Sequence, residues 1–234
     1  MEQLSARLAA ATREVHARAE SSAFITELLA GRLPASAYAG MLAQHYYIYA
    51  ALERTADQLR SHPVAGQFVF DDLARLPALD VDLPWLLGHD WRLEHAPTVG
   101  TQAYADRIVD ACTRWPTAFI AHHYTRYIGD LSGGRIIKTL VSRTYGFAED
   151  GVRFYSFSGI AKPKRFKDAY RRRLDAIDLT DAECDELTDE AITAFRHNIT
   201  VFEELEQCLP RQRDDVIGRG HRTASRRSDG RPGR

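Results

Sequence analysis

The chain has 234 residues, of which 44% are hydrophobic and 27% charged, and its formal net charge at pH 7 is -1. This composition is typical of a globular protein with a sizeable core, and the near-neutral charge argues against a dedicated nucleic-acid surface. The three cysteines fit neither a disulfide framework nor a CxxC metal site, and no apolar run approaches the roughly 20 residues that cross a bilayer. We therefore expect a cytoplasmic protein with no membrane anchor and no nucleic-acid partner.

Apolar residues recur at helical spacing along the first half of the chain. A first amphipathic helix is predicted from the apolar positions Leu4, Leu8, Ala11, Val15 and Ala19. A long helix over 35–59 is predicted to begin directly after Pro34, because proline favours the first turn of a helix. Prolines then break the region between about 61 and 100 into short helices and loops.

The second half of the chain is also predicted to be helical. Its four expected helices run over about 101–114, 117–145, 162–176 and 180–208. Thr180 is expected to cap the last of them, since its hydroxyl accepts a hydrogen bond from a backbone amide of the first turn. In the stretch VRFYSFSGI the residue types alternate as they do in a β-strand. No partner strand is evident, so an extended loop is predicted there.

The domain organisation follows from this pattern. No internal repeat or second domain is evident, and from Arg211 onward the chain is rich in Arg, Gly and Ser and has little to bury. Such a composition is typical of disorder. We predict an all-α fold with one helical domain over 1–209 and a disordered, solvated tail over 210–234.

The segment RYIGDLSGGRIIKTL places three glycines inside a predicted helix, where each is roughly 1 kcal/mol less favourable than alanine. Gly129 and Gly133 are four residues apart and share one helix face, which Gly134 widens. Such a face allows either close packing of a second helix or a flat ligand lying against the backbone. Asp130 favours the ligand, because an aspartate among apolar residues needs partners or water. A phosphate-binding loop is excluded, since the Walker spacing and a preceding strand are absent.

One histidine is placed to face a groove. His16 lies at the edge of the apolar stripe of the first helix, so its imidazole is a candidate metal ligand, although most such histidines are half-buried surface residues. A di-iron carboxylate bundle requires Glu-x-x-His pairs, and no glutamate here has a histidine three residues later. Lys167 and Arg171 share a helix face, which is either a solvated surface or a grip on the carboxylates of a ligand.

Five segments together identify a family resemblance. They are TREVHARAE, HYYIYAALE, YTRYIGDLSGG, FKDAYRRRL and TAFRHNITVFEEL. With them the chain resembles the heme oxygenases, specifically the soluble bacterial kind, from about Leu4 to Leu209. The resemblance implies a single-domain helical bundle with haem between a proximal and a kinked distal helix. Haem is then both cofactor and substrate.

The resemblance implies roles around the iron. His16 corresponds to the proximal iron ligand, which binds through its imidazole. Gly129 and Gly133 correspond to the distal-helix glycines whose backbone lies over the porphyrin. Asp130 corresponds to the residue that organises distal water for proton delivery. Two further members of that polar network are expected, namely Tyr49 and Arg126.

The resemblance also implies how the haem is held. The expected partners of the propionates are Lys167, Arg171 and Tyr124. Where many relatives carry a lysine, this chain has Ala9, and Arg13 or Arg7 is expected to substitute. Phe195, Asn198 and Phe202 correspond to pocket-wall residues of the last helix.

The implied reaction is oxidative cleavage of haem at a meso carbon, with the α position favoured, to biliverdin, carbon monoxide and ferrous iron. It needs dioxygen and electrons from an external donor, either an NADPH-linked flavin reductase or a ferredoxin. A monomer is expected. The alternatives are a non-catalytic haem carrier, store or sensor on the same fold and a helical relative acting on another small molecule, such as a thiamin-type substrate. Asp130 favours the oxygenase, since a carrier needs no proton delivery.

Overall fold

The computed structural model describes residues 3–209, which form eleven α-helices and contain no strand. The all-α prediction is therefore confirmed, whereas the tail predicted over 210–234 lies outside the described residues. In chain order the helices are α1 (Leu4–Ala11), α2 (Arg13–Glu20), α3 (Ala23–Leu29), α4 (Ala35–Leu59), α5 (Leu76–Leu87), α6 (Trp91–Glu94), α7 (Val99–Arg114), α8 (Phe119–His123), α9 (Gly129–Tyr145), α10 (Pro163–Asp175) and α11 (Asp181–Gln207). Within residues 3–209, every helix is too short or too polar to cross a lipid bilayer.

Two long helices form the centre of the fold. α4 packs against α5 and α7, and α11 runs along α2, α7 and α8. Their inward faces are apolar, and Leu42, Leu52, Ile108 and Ala191 are all fully buried. Burying a leucine or isoleucine side chain contributes roughly 1.5–3 kcal/mol, so this seam holds the bundle together. Both ends of α11 lie within one residue of those predicted from the sequence. Thr180 and Glu183 form a capping box at its start.

The beginning of the chain differs from the prediction. The single amphipathic helix predicted from Leu4 to Ala19 is divided at Thr12 into α1 and α2. The hydroxyl of Thr12 donates a hydrogen bond of 2.7 Å to the carbonyl of Leu8, a contact that bends helices. The helix α3 was not predicted, because its seven residues give too short a pattern to stand out.

The segment with the three glycines is not one uniform helix. The predicted helix over 117–145 consists of α8, a π-helical turn over Tyr124–Ile128, and α9. A π-helical turn holds one extra residue, and such turns kink helices and are frequent at functional sites. The kink expected in the distal helix therefore lies immediately before Gly129.

The stretch VRFYSFSGI forms a loop with a short 3-10 turn over Arg153–Tyr155, in agreement with the loop prediction. The carboxylate of Asp82 in α5 holds it, accepting hydrogen bonds from the backbone amides of Gly151 at 2.9 Å and Phe154 at 2.8 Å. This anchor places Phe154 and Tyr155, both buried, against the inner bundle.

A buried carboxylate joins three helices. Glu190 of α11, whose side chain is 7% exposed, accepts a hydrogen bond of 2.9 Å from Arg107 Nε of α7. His122 Nε2 of α8 lies 3.1 Å from the same carboxylate. Burial alone would raise the pKa of Glu190, but the contacts with His122 and Arg107 outweigh it and lower this pKa to about 2.

Because the pKa of Glu190 is lowered, we predict that the unfolding free energy of the protein falls in acid. The folded-state pKa lies below the usual 4.5, so the stabilisation is complete above pH 4.5 and is lost as the pH falls towards 2. We expect Glu190→Gln to remove up to about 3 kcal/mol of pH-dependent unfolding free energy in that window, measured by urea unfolding at several pH values. Glu203→Gln, at a half-exposed site, is the control. Parallel pH curves for wild type and Glu190→Gln would contradict this account.

Candidate active site

A groove of about 260 Å³ opens where α1 and α2 face the π-helical turn, the start of α9, α10 and α11. The residues that line it are Ala9, Thr12, Arg13, His16, Tyr124, Thr125, Ile128, Gly129, Ser132, Arg171 and Phe195. Six of these were singled out from the sequence, namely Arg13, His16, Tyr124, Gly129, Arg171 and Phe195. The structure thus brings together residues that are up to about 180 positions apart in the chain.

His16 faces the groove from α2. Its imidazole packs edge-on against the ring of Phe195, with the ring centroids 5.4 Å apart. Nε2 of His16 lies 3.5 Å from the carboxylate of Glu20, one helical turn later. Histidine imidazole is a common axial ligand of haem iron. The chemistry of His16 therefore fits an axial ligand of haem.

The three glycines have different surroundings. A Cβ atom added to Gly129 or Gly133 would meet no atom of the described residues within 4 Å. A Cβ atom on Gly134 would lie 2.9 Å from Cδ1 of Tyr155, so only this glycine is required for close packing. Gly129 and Gly133 leave a strip of backbone bare, and Gly129 lines the groove. Such a strip fits a flat ring lying against the helix.

A polar network lies beside this strip. Tyr49 Oη of α4 donates a hydrogen bond to Asp130 Oδ2. The guanidinium of Arg126 lies 4.9 Å from the ring centroid of Tyr49, and Arg126 Nη1 donates a hydrogen bond of 2.6 Å to Asn198 Oδ1. Tyr49 thus contacts both Asp130 and Arg126, and Asn198 contacts Arg126.

Burial and charge oppose each other at Asp130. Burial raises the pKa of this carboxyl, and the positive charge of Arg126 and the hydrogen bond from Tyr49 lower it, with burial dominating. Burial alone would lower the pKa of Arg126, but Tyr49 and Asp130 raise it, so the guanidinium stays charged. Asp130 is therefore a carboxyl with raised proton affinity beside a fixed cation.

Two of the cations of α10, Lys167 and Arg171, lie at the mouth of the groove. Lys167 Nζ donates a hydrogen bond of 3.1 Å to Ser132 Oγ of α9. Arg171 lines the groove and donates a hydrogen bond of 3.0 Å to Asp168 Oδ1. Both side chains have the charge to bind carboxylates of a ligand.

Sequence reasoning missed Tyr104. This residue of α7 is fully buried, and its ring stacks on His197 with the centroids 5.2 Å apart. Burial raises the pKa of Tyr104 and the charge of Arg126 lowers it, so its hydroxyl belongs to the surroundings of Arg126. In the sequence Tyr104 occupies an inward-facing position of an amphipathic helix, which does not distinguish it from an ordinary core residue.

Residues 2–204 of this chain match the sequence model of the heme oxygenase family. The chain belongs to the heme oxygenase family. Heme oxygenase 1 of Synechocystis is 33% identical over 203 residues, which is 87% of this chain and 85% of that protein. Heme oxygenase 1 of Rattus norvegicus is 35% identical over 215 residues, which is 91% of this chain and 74% of that protein.

Solved structures agree with this membership. The Synechocystis heme oxygenase-1, solved in complex with heme, has a TM-score of 0.84 at 32% identity and covers 88% of this chain and 93% of its own. The heme oxygenase from Leptospira interrogans has a TM-score of 0.83 at 35% identity and covers 87% of this chain and 100% of its own. The resemblance and the heme oxygenase fold are confirmed, and these matches support an oxygenase over a non-catalytic haem-binding protein.

One further solved structure is a more distant likeness. A TenA homologue from P. horikoshii has a TM-score of 0.62 at 14% identity. At this identity the likeness shows a shared helical fold alone.

The different surroundings of the glycines predict different effects of alanine. Gly129→Ala meets open space, so we expect the unfolding free energy of this heme oxygenase to change by no more than about 1 kcal/mol, while hemin binding weakens by about tenfold or more. Gly134→Ala, the matched control, pushes against Tyr155 and lowers stability. Denaturant unfolding without haem and hemin titration give the two readings. Unchanged hemin affinity and Soret spectrum in Gly129→Ala would refute the view that this backbone faces the ring.

Proposed function

We propose that this heme oxygenase opens haem at the α meso carbon, with Asp130 holding the water that delivers protons and His16 binding the iron. The observation that carries the proposal is the Tyr49–Asp130 hydrogen bond beside the bare backbone at Gly129. When bound, haem supplies the iron that binds dioxygen and the ring that is converted to biliverdin, carbon monoxide and ferrous iron. The protein binds the ring, shields one face and moves the protons.

His16 and the glycines define the two sides of the ring. Among the groove-lining residues within 3–209, His16 is the one histidine, and Phe195 restrains its ring by edge-on contact. Gly129 faces the groove with backbone alone. An imidazole on one side with no side chain on the other leaves room for a small molecule beside the distal helix.

Asp130 is suited to handle a proton at this place. Tyr49 donates to Oδ2, which leaves Oδ1 to accept a hydrogen bond from water. Burial raises the pKa of the carboxyl, so it returns a proton to water less readily than an exposed aspartate. Arg126 stabilises the carboxylate form after the proton has left. Water held at Oδ1 is then able to donate towards the ring.

The cations at the mouth support binding of the propionates. Arg13 and Arg171 line the groove, and Lys167 reaches Ser132 at its mouth. Guanidinium and ammonium groups bind carboxylates, so these side chains together with Tyr124 fix how the ring is rotated. The rotation decides which meso carbon is attacked, and chromatographic identification of the biliverdin isomer tests the α assignment.

Two variants separate iron ligation from proton delivery. Asp130→Asn removes the titratable carboxyl but keeps its shape, so we expect hemin affinity within about threefold of wild type and a fall in biliverdin formation of about 100-fold. His16→Ala removes the axial imidazole, so the histidine-type spectrum is lost although the groove still takes up porphyrin. Both are measured by hemin titration followed by turnover in air with a competent reductase.

The outcomes of this pair are distinct. Full biliverdin yield from Asp130→Asn would remove Asp130 from proton delivery. An unchanged axial spectrum in His16→Ala would assign the iron to another histidine. A wild-type haem complex that persists during reduction in air would instead support a carrier or sensor.

The electron donor is proposed to be an acidic protein, either an NADPH-linked flavin reductase or a ferredoxin. Exposed cations on the helices of the groove support this, with the side chains of Lys164, Arg18 and Arg171 exposed by 92%, 69% and 55%. Opposite charges accelerate the encounter of two proteins. We also propose a monomer that acts in the cytoplasm, where its three free cysteines stay reduced.

This electrostatic contact predicts salt-sensitive reduction. The rate at which a ferredoxin or flavin reductase reduces the haem complex is expected to fall about tenfold between roughly 0.05 and 0.5 M salt. Lys164→Glu is expected to slow the reaction at low salt and to flatten its salt dependence. Arg114→Glu on α7, outside the groove lining, is the control. A salt-independent rate would contradict an acidic partner at this surface.

A further inference from the structure

Several buried side chains carry polar atoms without a hydrogen-bond partner among the described residues, and four of them are Arg126 and three residues on which its charge acts. The atoms of these four are Arg126 Nε and Nη2, His45 Nδ1 and Nε2, Tyr104 Oη and Tyr155 Oη. Each of the four residues is at most 5% exposed. The resemblance to heme oxygenases, as far as it assigns roles here, gives none to His45 or Tyr155.

Two of these side chains, His45 and Tyr155, are linked to the contact between Arg126 and Tyr49 through the ring of Phe154. His45 precedes Tyr49 by four residues on α4, so both lie on one face of that helix. The ring centroid of Phe154 lies 5.5 Å from those of both His45 and Tyr49, and 4.9 Å from that of Tyr155. His45 and Tyr155 therefore flank the ring of Phe154. Phe154 packs in turn against Tyr49, and the guanidinium of Arg126 lies over the ring of Tyr49.

The hydrogen-bonding groups of His45 and Arg126 complement each other. Burial lowers the pKa of His45 well below its usual value, and the positive charge of Arg126 lowers it further. His45 is then neutral and offers one acceptor nitrogen and one N–H donor. Arg126 has only N–H donors, and its charge also acts on the pKa of Tyr104 and Tyr155. A donor-rich cation thus lies among groups that are able to accept.

Leaving these atoms unpaired would be costly. A buried donor or acceptor without a partner costs about 1–3 kcal/mol, and more for a charged group. One ordered water satisfies two to four such groups, and buried waters occupy polar sites of this kind. The six unpaired atoms, two of Arg126 and four of its neighbours, are more than a single water can satisfy.

We propose that His45, Tyr104, Tyr155 and Arg126 bind ordered water inside the bundle, and that His45 is a positioning residue that accepts a water-mediated hydrogen bond from Arg126. The bridge holds the guanidinium over Tyr49 and against Asn198. Tyr49 in turn donates to Asp130, so His45 acts on the reaction only through Arg126. The link to catalysis rests on the proposed role of Asp130, whereas the water site does not.

The stability of the haem-free protein tests the water site. If His45 were simply an unsatisfied core residue, His45→Leu would stabilise the protein by removing two unpaired polar atoms. The water bridge requires the opposite, because leucine leaves Arg126 unpaired, so a lower melting temperature is expected. His45→Gln, which keeps an acceptor, should recover part of the loss, and Tyr155→Phe should lose less than His45→Leu. A melting temperature of His45→Leu at or above that of wild type overturns the proposal.

A double-mutant cycle tests whether His45 acts through Arg126. In an Arg126→Met background, which has no guanidinium to satisfy, His45→Leu is expected to cause no further loss of stability. Additive losses would contradict the bridge. A crystal structure that shows a water hydrogen-bonded to His45 supports the site, and direct contact of His45 with protein atoms alone overturns it.

The haem complex tests the link to the reaction. His45 does not line the groove, so His45→Leu should change hemin affinity by less than about twofold, lower biliverdin formation about tenfold and shift the pH at which the visible spectrum of the complex changes. His45→Gln should restore both the rate and the spectrum in part. If stability falls as expected but the rate and spectrum stay unchanged, the positioning role is wrong. If Asp130→Asn does not lower biliverdin formation while the His45 variants behave as expected, proton delivery by Asp130 is refuted and the water site stands.

Discussion

The arrangement of the bundle depends on one buried charge. Arg126 is 5% exposed, and a guanidinium in the core is tolerated only where neighbouring elements supply acceptors, aromatic faces and counter-charge. The neighbours come from four helices, with Tyr49 from α4, Tyr104 from α7, Asp130 from α9 and Asn198 from α11. Removing this cation would deprive each of them of its common partner.

The π-helical turn relates that charge to the groove. Arg126 lies inside the turn and Gly129 directly follows it. The extra residue of the turn shifts the helical register, so that Arg126 points into the bundle while the backbone at Gly129 faces the groove. One short segment thereby presents a buried cation to the core and bare backbone to the ligand. Asp130, in the first turn of α9, lies between the two environments.

Helical periodicity and motif spacing predicted much of the fold. The bounds of α4 and the cap of α11 followed from proline and threonine chemistry, which acts locally. The break at Thr12 did not, because it depends on one side-chain hydrogen bond within a pattern that remains helical on both sides. The π-helical turn was also missed, since one extra residue barely changes the spacing of apolar positions.

The site was predictable where residue type is unusual for its position. Glycine in a helix and aspartate among apolar residues stand out, so Gly129 and Asp130 were found. Tyr104 and His45 were not, because aromatic residues at inward-facing positions of a helix are indistinguishable from ordinary core. Their unpaired polar atoms become visible only when helices distant in sequence are packed together.

The hydrogen bond between Lys167 and Ser132 has a consequence for ligand binding at the mouth of the groove. It joins α10 to α9 across the mouth, between side chains exposed to solvent. A single exposed hydrogen bond contributes about 1 kcal/mol, which leaves it broken in roughly one molecule in six at room temperature. The bond between α10 and α9 therefore opens without help from a ligand. In the proposed haem complex a propionate takes the place of Ser132 as the partner of the Lys167 ammonium, so binding at this mouth exchanges one weak contact for another.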